Sequence, residues 1–432
     1  MESIYSKRKV IMRLYQLKAY LIYLTPLVLS MVLLFHVAGI FQINMQRQFN
    51  LKLSVPDSMD HKLRALEATR IRKDINNVSN NNITSRDIIM LHWTQFHGRP
   101  YPMRHNEDLQ TCFYKNCKIV SDKSLFNQSD VVIFHVQDLP ELLKHKHPLP
   151  TYHPPHQKWL LMTQEPKTRS GTRLPLFKYH LDGQINITSS YSYDDDITIP
   201  YGWTEPLPRP NQTVITQKIM ETRTMLKQKR KLMVQLVSHC NTFSQREDMV
   251  NDMKKYVNVD VYGKCGRPCR DDDRCLEDLG RVYKFYLAFE NSDCKDYITE
   301  KVWENAFKNN MVPVIFGEMT DFKRLLPPNS YININTFSSF KELSEYLNML
   351  DQNNDKYEKY FEWKWTNNIR LRTKSLTLCM ICDYVNRNLG VNQIANLDHW
   401  FDVYQHCKVS DISGHKNWTL TYLQNHDHPF SS

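Results

Sequence analysis

Residues 283–317 read YKFYLAFENSDCKDYITEKVWENAFKNNMVPVIFG. An apolar run over Phe285–Phe289 ends in the polar Glu290-Asn291-Ser292, and a polar loop, Asp293 to Tyr297, follows. Thr299 suits the N-cap of a helix, because its hydroxyl can accept from an N–H of the first turn. Val302, Trp303, Ala306 and Phe307 then recur at the spacing of one helix face. The chain returns through Val312-Pro313-Val314, an apolar run of strand length. This is a βαβ unit, and ligands of such units sit beyond the carboxyl ends of the strands. The start of the helix favours anions through free N–H groups and the dipole. Lys301 lies in that first turn, where the dipole disfavours a cation. An uncompensated lysine there makes sense facing a phosphate; otherwise it is a solvated lysine paired with Glu304 or Asp296.

The same alternation extends outward. Leu232–Val237, Val259–Tyr262 and Val312–Phe316 read as strands, with helices over Arg246–Tyr256, Thr299–Asn309 and Phe340–Leu350. An earlier set comprises Ile88–Leu91, Val131–Phe134 and Trp159–Met162, separated by loops rich in Pro and His such as 145–156. Short unbroken apolar runs are strands of a parallel sheet covered on both faces. The fold class is therefore α/β. Two such sets, joined near residues 205–230, imply two doubly wound domains with a cleft between them. Their expected bounds are 86–225 and 226–385, followed by a C-terminal segment, 386–432.

Composition excludes several classes. Of 432 residues, 41% are apolar and 24% charged, which argues against a disordered chain. Only 11 are Gly, and neither GxxxxGKS/T nor GxGxxG occurs, so a P-loop or classical dinucleotide fingerprint is absent. The net charge of +10 owes part of its excess to Lys7, Arg8, Lys9, Arg13 and Lys18. These precede an uncharged apolar stretch, residues 19–41, long enough to span a bilayer. Only Arg47 and Lys52 follow closely, so the positive-inside bias keeps residues 1–18 cytosolic and sends the body across. The basic tail reads as an orientation signal and not as a nucleic-acid site. Residues 42–85 are polar and form an expected stem. Asn-x-Ser/Thr sequons at Asn77, Asn82, Asn127, Asn186, Asn211 and Asn417 fit a lumenal body as glycosylation candidates. In that compartment the ten cysteines are expected mainly in disulfides.

The 283–317 stretch resembles the donor-site motif of the α-(1,3)-fucosyltransferases, glycosyltransferase family 10, in which a strand ending FENS precedes a DYITEK-type helix start. Leu236-Val237-Ser238 with Asn241 and Arg246 resembles the family's VSN…R element. Lys158–Pro166, KWLLMTQEP, resembles its KW…M…ESP element, with Ser missing after the Glu. Asp194–Gly202, DDDITIPYG, resembles its DSDI..PYG element. Val259–Gly266 looks most like the invertebrate branch, which acts on N-glycan GlcNAc. The resemblance spans roughly residues 88–405.

It implies a GT-B fold of two Rossmann-like domains, a type II Golgi membrane enzyme, and inverting transfer of L-fucose from GDP-fucose to O3 of GlcNAc in core or antennary glycans. Glu165, ending an acceptor-domain strand, matches the family's base; otherwise it is a solvated strand-end carboxylate. Arg246 and Lys301 match contacts to the pyrophosphate. Glu300 suits ribose hydroxyls, and Ser238, Asn291 and Tyr297 the nucleotide pocket. Glu290 is either a donor-site group or a structural acceptor. No metal is expected to be required, with Mn or Mg at most stimulatory, although Asp194-Asp195-Asp196 and Asp271-Asp272-Asp273 can be read as DxD motifs of a metal-dependent GT-A enzyme. Asp271–Asp273 has the look of a loop. A third reading is a lumenal glycan-binding protein without activity. Cys379-Met380-Ile381-Cys382 resembles a C-x-x-C near the family's C-terminal end. Cys112 and Cys117 pair with each other or with Cys379 and Cys382. Cys265, Cys269 and Cys275 crowd one loop, and Cys240, Cys294 and Cys407 stay unassigned. The sequence carries no signal of oligomeric state.

Overall fold

A computed structural model describes residues 86–98, 108–139, 149–166, 181–269, 272–388, 390, 393–402 and 406–408. The tail, the anchor, the stem and the sequons at Asn77, Asn82 and Asn417 lie outside them. Among the described residues no helix is long and apolar enough to cross a membrane.

The first set of apolar runs forms a six-stranded parallel sheet. Its strands are β1 (Ile88–His92), β2 (Cys117–Val120), β3 (Val131–His135), β4 (Lys158–Met162), β5 (Ile187–Ser190) and β6 (Ile197–Thr198), in the order β2-β1-β3-β4-β5-β6. Side chains alternate across a strand, so each unbroken run supplies two cores. Val131 and Ile133 pack with Met90 and Leu160 on one face, while Val132 and Phe134 pack with Leu91, Trp159 and Leu161 on the other.

After β7 (Gly202–Pro206) and helix α1 (Gln212–Leu226), the second set forms a five-stranded parallel sheet. It contains β8 (Lys231–Leu236), β9 (Val259–Tyr262), β10 (Tyr283–Leu287), β12 (Val312–Ile315) and β13 (Ile332–Asn333), ordered β13-β12-β10-β8-β9. Helix α2 (Arg246–Met253) joins β8 to β9, and α3 (Asp272–Val282) leads into β10. Asp272 thus opens a helix, a correction to the loop expected there; Asp271 lies outside the described residues. Helix α4, Lys301–Lys308, is wound with π pitch. Just beyond it the Met311 N–H reaches back five residues to the Ala306 carbonyl at 2.9 Å. Val302, Trp303, Ala306 and Phe307 are buried against Tyr283 and Tyr286, as their spacing predicts.

The two sheets are linked twice at one place. β7 leaves the first sheet and pairs antiparallel with β14 (Asn367–Leu371), which leads the chain back. Helix α5 spans Phe340–Gln352 and, after β14, helix α6 spans Lys374–Asn388. It lays Leu378, Ile381, Cys382 and Val385 onto the first sheet. Grouped with the second set in sequence, this helix belongs to the first core. The Cys112–Cys379 and Cys117–Cys382 disulfides hold it there, which decides between the pairings left open. Cys269–Cys275 closes a short loop, whereas Cys265 reaches Cys240. Cys294–Cys407 joins β11 (Asp293–Cys294) to β15 (Cys407–Lys408).

Candidate active site

The site is built from strand ends. Beyond β4, the Glu165 N–H donates to Thr163 Oγ1 at 3.1 Å, and Gln137 Nε2 donates to the same hydroxyl oxygen at 2.7 Å. The Tyr201 hydroxyl donates to the Gln164 carbonyl at 2.8 Å. The turn carrying Glu165 is therefore held from both sides, and the residue is half-buried.

At the second sheet, β10 runs into Phe289 and Glu290. The Glu290 carboxylate is buried and accepts from the Thr299 N–H and hydroxyl, each at 2.8 Å. Lys301 Nζ lies 2.8 Å from Glu290 Oε2 and 3.0 Å from Glu300 Oε1. Of the two readings of Glu290, the packing takes the structural acceptor. Lys301 is likewise compensated, by partners other than the expected ones, since Asp296 pairs with Arg324. Two carboxylates offset the unfavourable dipole at the helix start. Thr299 contributes there without being the cap residue, a position taken by Glu300.

The charges follow from this packing. Burial pulls the Lys301 ammonium down, but Glu290 and Glu300 outweigh it and hold its pKa above the ordinary lysine value. Burial pushes the Glu290 carboxyl up, opposed by Lys301. At Glu300 burial acts upward too, yet attraction and hydrogen bonding from Lys301 leave it below the usual carboxylate range. Tyr201 is pushed well up by burial first and then by Glu300, with Arg372 and Lys301 opposing and Glu165 adding. Burial also raises Tyr297, with Tyr201, Glu290, Glu165 and Glu300 contributing. Glu165 from the first sheet and Glu300 from the second thus act on the same two tyrosines.

Arg246 opens α2 and is 3% exposed, so it is a buried arginine and not a solvated one. It donates from Nη1 to the Phe289 carbonyl and from Nη2 to the His239 carbonyl, both at 2.9 Å. These bonds tie the ends of β8 and β10, and Nε donates to Glu247 Oε1 at 3.3 Å. Ser238 is exposed beyond β8. The Asn291 Oδ1 is buried with no hydrogen-bond partner among the described residues. Donor-site candidates from three segments therefore converge at the carboxyl ends of β8 and β10, where α/β sheets bind ligands.

The acidic run Asp194–Asp196 is dispersed among structural partners. Asp194 takes Lys295 at 2.7 Å, Asp195 takes the Trp400 indole N–H, and Asp196 accepts from the Thr188 N–H and Gln393. Asn127 and Asn211 are exposed sequon residues. Asn186 is a correction. It is 5% exposed, its Nδ2 donates to the Gln393 carbonyl, and its Oδ1 accepts from the Trp159 N–H, so the packing has no room for a glycan.

Comparison with known proteins follows the same division of the chain. Residues 85–202 match the model described as "Fucosyltransferase, N-terminal", and residues 226–400 match "Glycosyltransferase family 10 (fucosyltransferase) C-term". The alpha-(1,3)-fucosyltransferase C of Drosophila melanogaster is 32% identical over 333 residues, 69% of this chain and 73% of that protein. The chain belongs to glycosyltransferase family 10. A Bos taurus 3-galactosyl-N-acetylglucosaminide 4-alpha-L-fucosyltransferase is 34% identical over 287 residues, covering 66% of this chain and 74% of that protein. A crystal structure of an α1,3-fucosyltransferase with GDP aligns over 73% of this chain and 93% of its own, at 16% identity and a TM-score of 0.47.

In this family 10 fucosyltransferase, sequence reasoning missed three side chains that shape the site. Tyr201 stood in the quoted PYG element without a role. Tyr286 links the Leu236 backbone to Asn305 of α4 through its hydroxyl, but reads as one more strand aromatic. Arg372 follows β14 and has no local motif at all.

Proposed function

We propose that the chain transfers L-fucose from GDP-fucose to O3 of a GlcNAc residue in glycans, with inversion at the anomeric carbon. The acceptor oxygen attacks the anomeric carbon as the bond to the diphosphate breaks. Glu165 takes the O3 proton, and GDP leaves with the bonding electron pair. A positioned base contributes about 10²–10⁴-fold. Arg246 and Lys301 stabilise the charge that gathers on the leaving diphosphate. Glu300 accepts from ribose hydroxyls, while Ser238, Asn291 and Tyr297 line the nucleotide pocket. The observation that carries the reading is geometric: the Tyr201 hydroxyl donates to the Gln164 carbonyl beside Glu165 at 2.8 Å, and its ring meets Tyr297 of the donor-site segment edge-on at 6.4 Å.

The further parts of the reading are a GT-B arrangement of the two parallel sheets, an N-glycan acceptor and residence in the Golgi membrane as a type II protein. Fixed protein cations take the place of a required metal ion, and Mn²⁺ or Mg²⁺ is at most stimulatory. The structural ties of Asp194, Asp195 and Asp196 support that assignment. The test is fucose transfer to a panel of GlcNAc acceptors in excess EDTA. Transfer abolished by chelation and restored by Mn²⁺ alone would overturn the metal-free part. Hydrolysis of GDP-fucose without transfer to any acceptor would overturn the whole.

A further inference from the structure

The place where the chain crosses between the sheets is also where the base is held. Tyr201 immediately precedes β7 and Arg372 immediately follows β14, so the two stand at the same end of the antiparallel pair. The Arg372 N–H donates to the Tyr201 carbonyl at 3.0 Å. Its guanidinium carbon lies 4.0 Å from the Tyr201 ring centroid, a cation–π stack. The Tyr201 hydroxyl reaches the carbonyl of Gln164, the neighbour of Glu165. On its other side Tyr201 meets Tyr297 edge-on, 6.4 Å between centroids. The Arg372 Nη1 is buried and has no hydrogen-bond partner among the described residues.

We propose that Tyr201, clamped by Arg372, is a positioning residue that sets Glu165 against the start of α4. The hydroxyl fixes the backbone one residue from the base, and the stacked guanidinium fixes the ring. The crossover then transmits the placement of the second sheet to the base on the first. The proposal rests on Glu165 being the base. A displaced base slows proton removal without touching the GDP contacts, because misplacement acts on the reacting geometry and not on ground-state binding.

The test is a double-mutant cycle of Tyr201→Phe and Glu165→Gln, with kcat, GDP-fucose KM and the affinity for GDP measured for each variant. Tyr201→Phe is expected to lower kcat about tenfold, with GDP affinity and donor KM within about twofold of the parent. In the Glu165→Gln background the same change is expected to cost less than about twofold, since the two act as a unit. An equal loss in both backgrounds, or an equal loss of GDP affinity, would make Tyr201 merely structural and overturn the proposal. Normal kcat in Tyr201→Phe beside an inactive Glu165→Gln would also overturn it, while leaving the base assignment standing. An active Glu165→Gln would instead remove the base itself. Should Tyr201→Phe fail to fold, Arg372→Lys carries the same test. It keeps the charge and loses the planar stack, and unchanged kcat there would count against the clamp.

Discussion

At the scale of single residues, the account turns on one carboxylate and one buried cation. Glu165→Gln keeps shape and removes basicity. Its kcat is expected to fall by on the order of 10²-fold or more, with GDP still bound, as titration of GDP into the folded variant will check. Lys301 is a different case, because beside its proposed contact to the diphosphate it is bound into the fold. Its side chain is 10% exposed and that of Glu290 is 7% exposed. Lys301→Met leaves the Glu290 carboxylate buried without its cation, an event that costs about 3–5 kcal/mol. Denaturant unfolding should show that loss, and adding Glu290→Gln should recover part of it. A Lys301→Met variant of unchanged stability would mean that Glu290 relaxes to solvent. The histidines at the first sheet give a pH prediction. His92 is 2% exposed, and burial, with His135 nearby, pushes its pKa from 6.5 down to about 3. Its neighbourhood includes His135, bonded to Asp138, and His97 against the His135 ring. Below pH 6.5 the unfolded chain binds a proton that the folded chain refuses. Stability from this group is therefore complete above pH 6.5 and lost as pH falls towards 3. Melting curves should fall less steeply over that window in His92→Phe than in the parent.

At the scale of elements, close approaches decide. A Cβ on Gly202 would lie 2.6 Å from the Trp303 side chain, so β7 packs directly on α4. Gly202→Ala is expected to cost about 1–3 kcal/mol by overpacking and to raise the GDP-fucose KM by displacing the helix that carries Lys301. Normal donor kinetics in that variant would show that Trp303 yields without moving α4. Helix α6 is tethered by two disulfides, and removing Cys117–Cys382 by paired Ser substitutions should cost about 2–4 kcal/mol, measurable by thermal melting. Legibility in the sequence divides along the same physical line. Seven strands, β1, β3, β4, β8, β9, β10 and β12, were legible, because a run such as Val131–Phe134 has to be buried on both faces wherever it sits; the shorter or more polar β2, β5, β6 and β13 went unread. The segments that carry the donor-site candidates were legible as strand ends, because each follows a short apolar run. The π pitch of α4 was not, since Lys301–Lys308 has an ordinary helical pattern and the extra residue per turn is imposed by packing. Nor was the return of α6 to the first sheet, because an apolar helix face does not name its partner, and the contacts and disulfides that name it lie far away in sequence. Asn186 shows the converse failure: a sequon is local chemistry, and burial is not.

At the scale of the whole molecule, two parallel sheets are joined through the antiparallel β7–β14 pair. In the proposed reaction the base comes from the first and the diphosphate contacts from the second. The proposed reaction stabilises the leaving diphosphate with protein cations alone, so transfer is expected to retain most of its rate after exhaustive chelation, measured as fucosylated product formed in excess EDTA. The most direct measurement is made on membranes carrying the full chain, supplied with GDP-fucose and a GlcNAc-terminated glycan. GDP and product are quantified together, and the new linkage is determined. The expected result is GDP and fucosylated glycan in equal amounts, fucose on O3 with inverted anomeric configuration, and loss of both products in Glu165→Gln. Retained configuration, attachment at a position other than O3, or undiminished transfer by Glu165→Gln would contradict it.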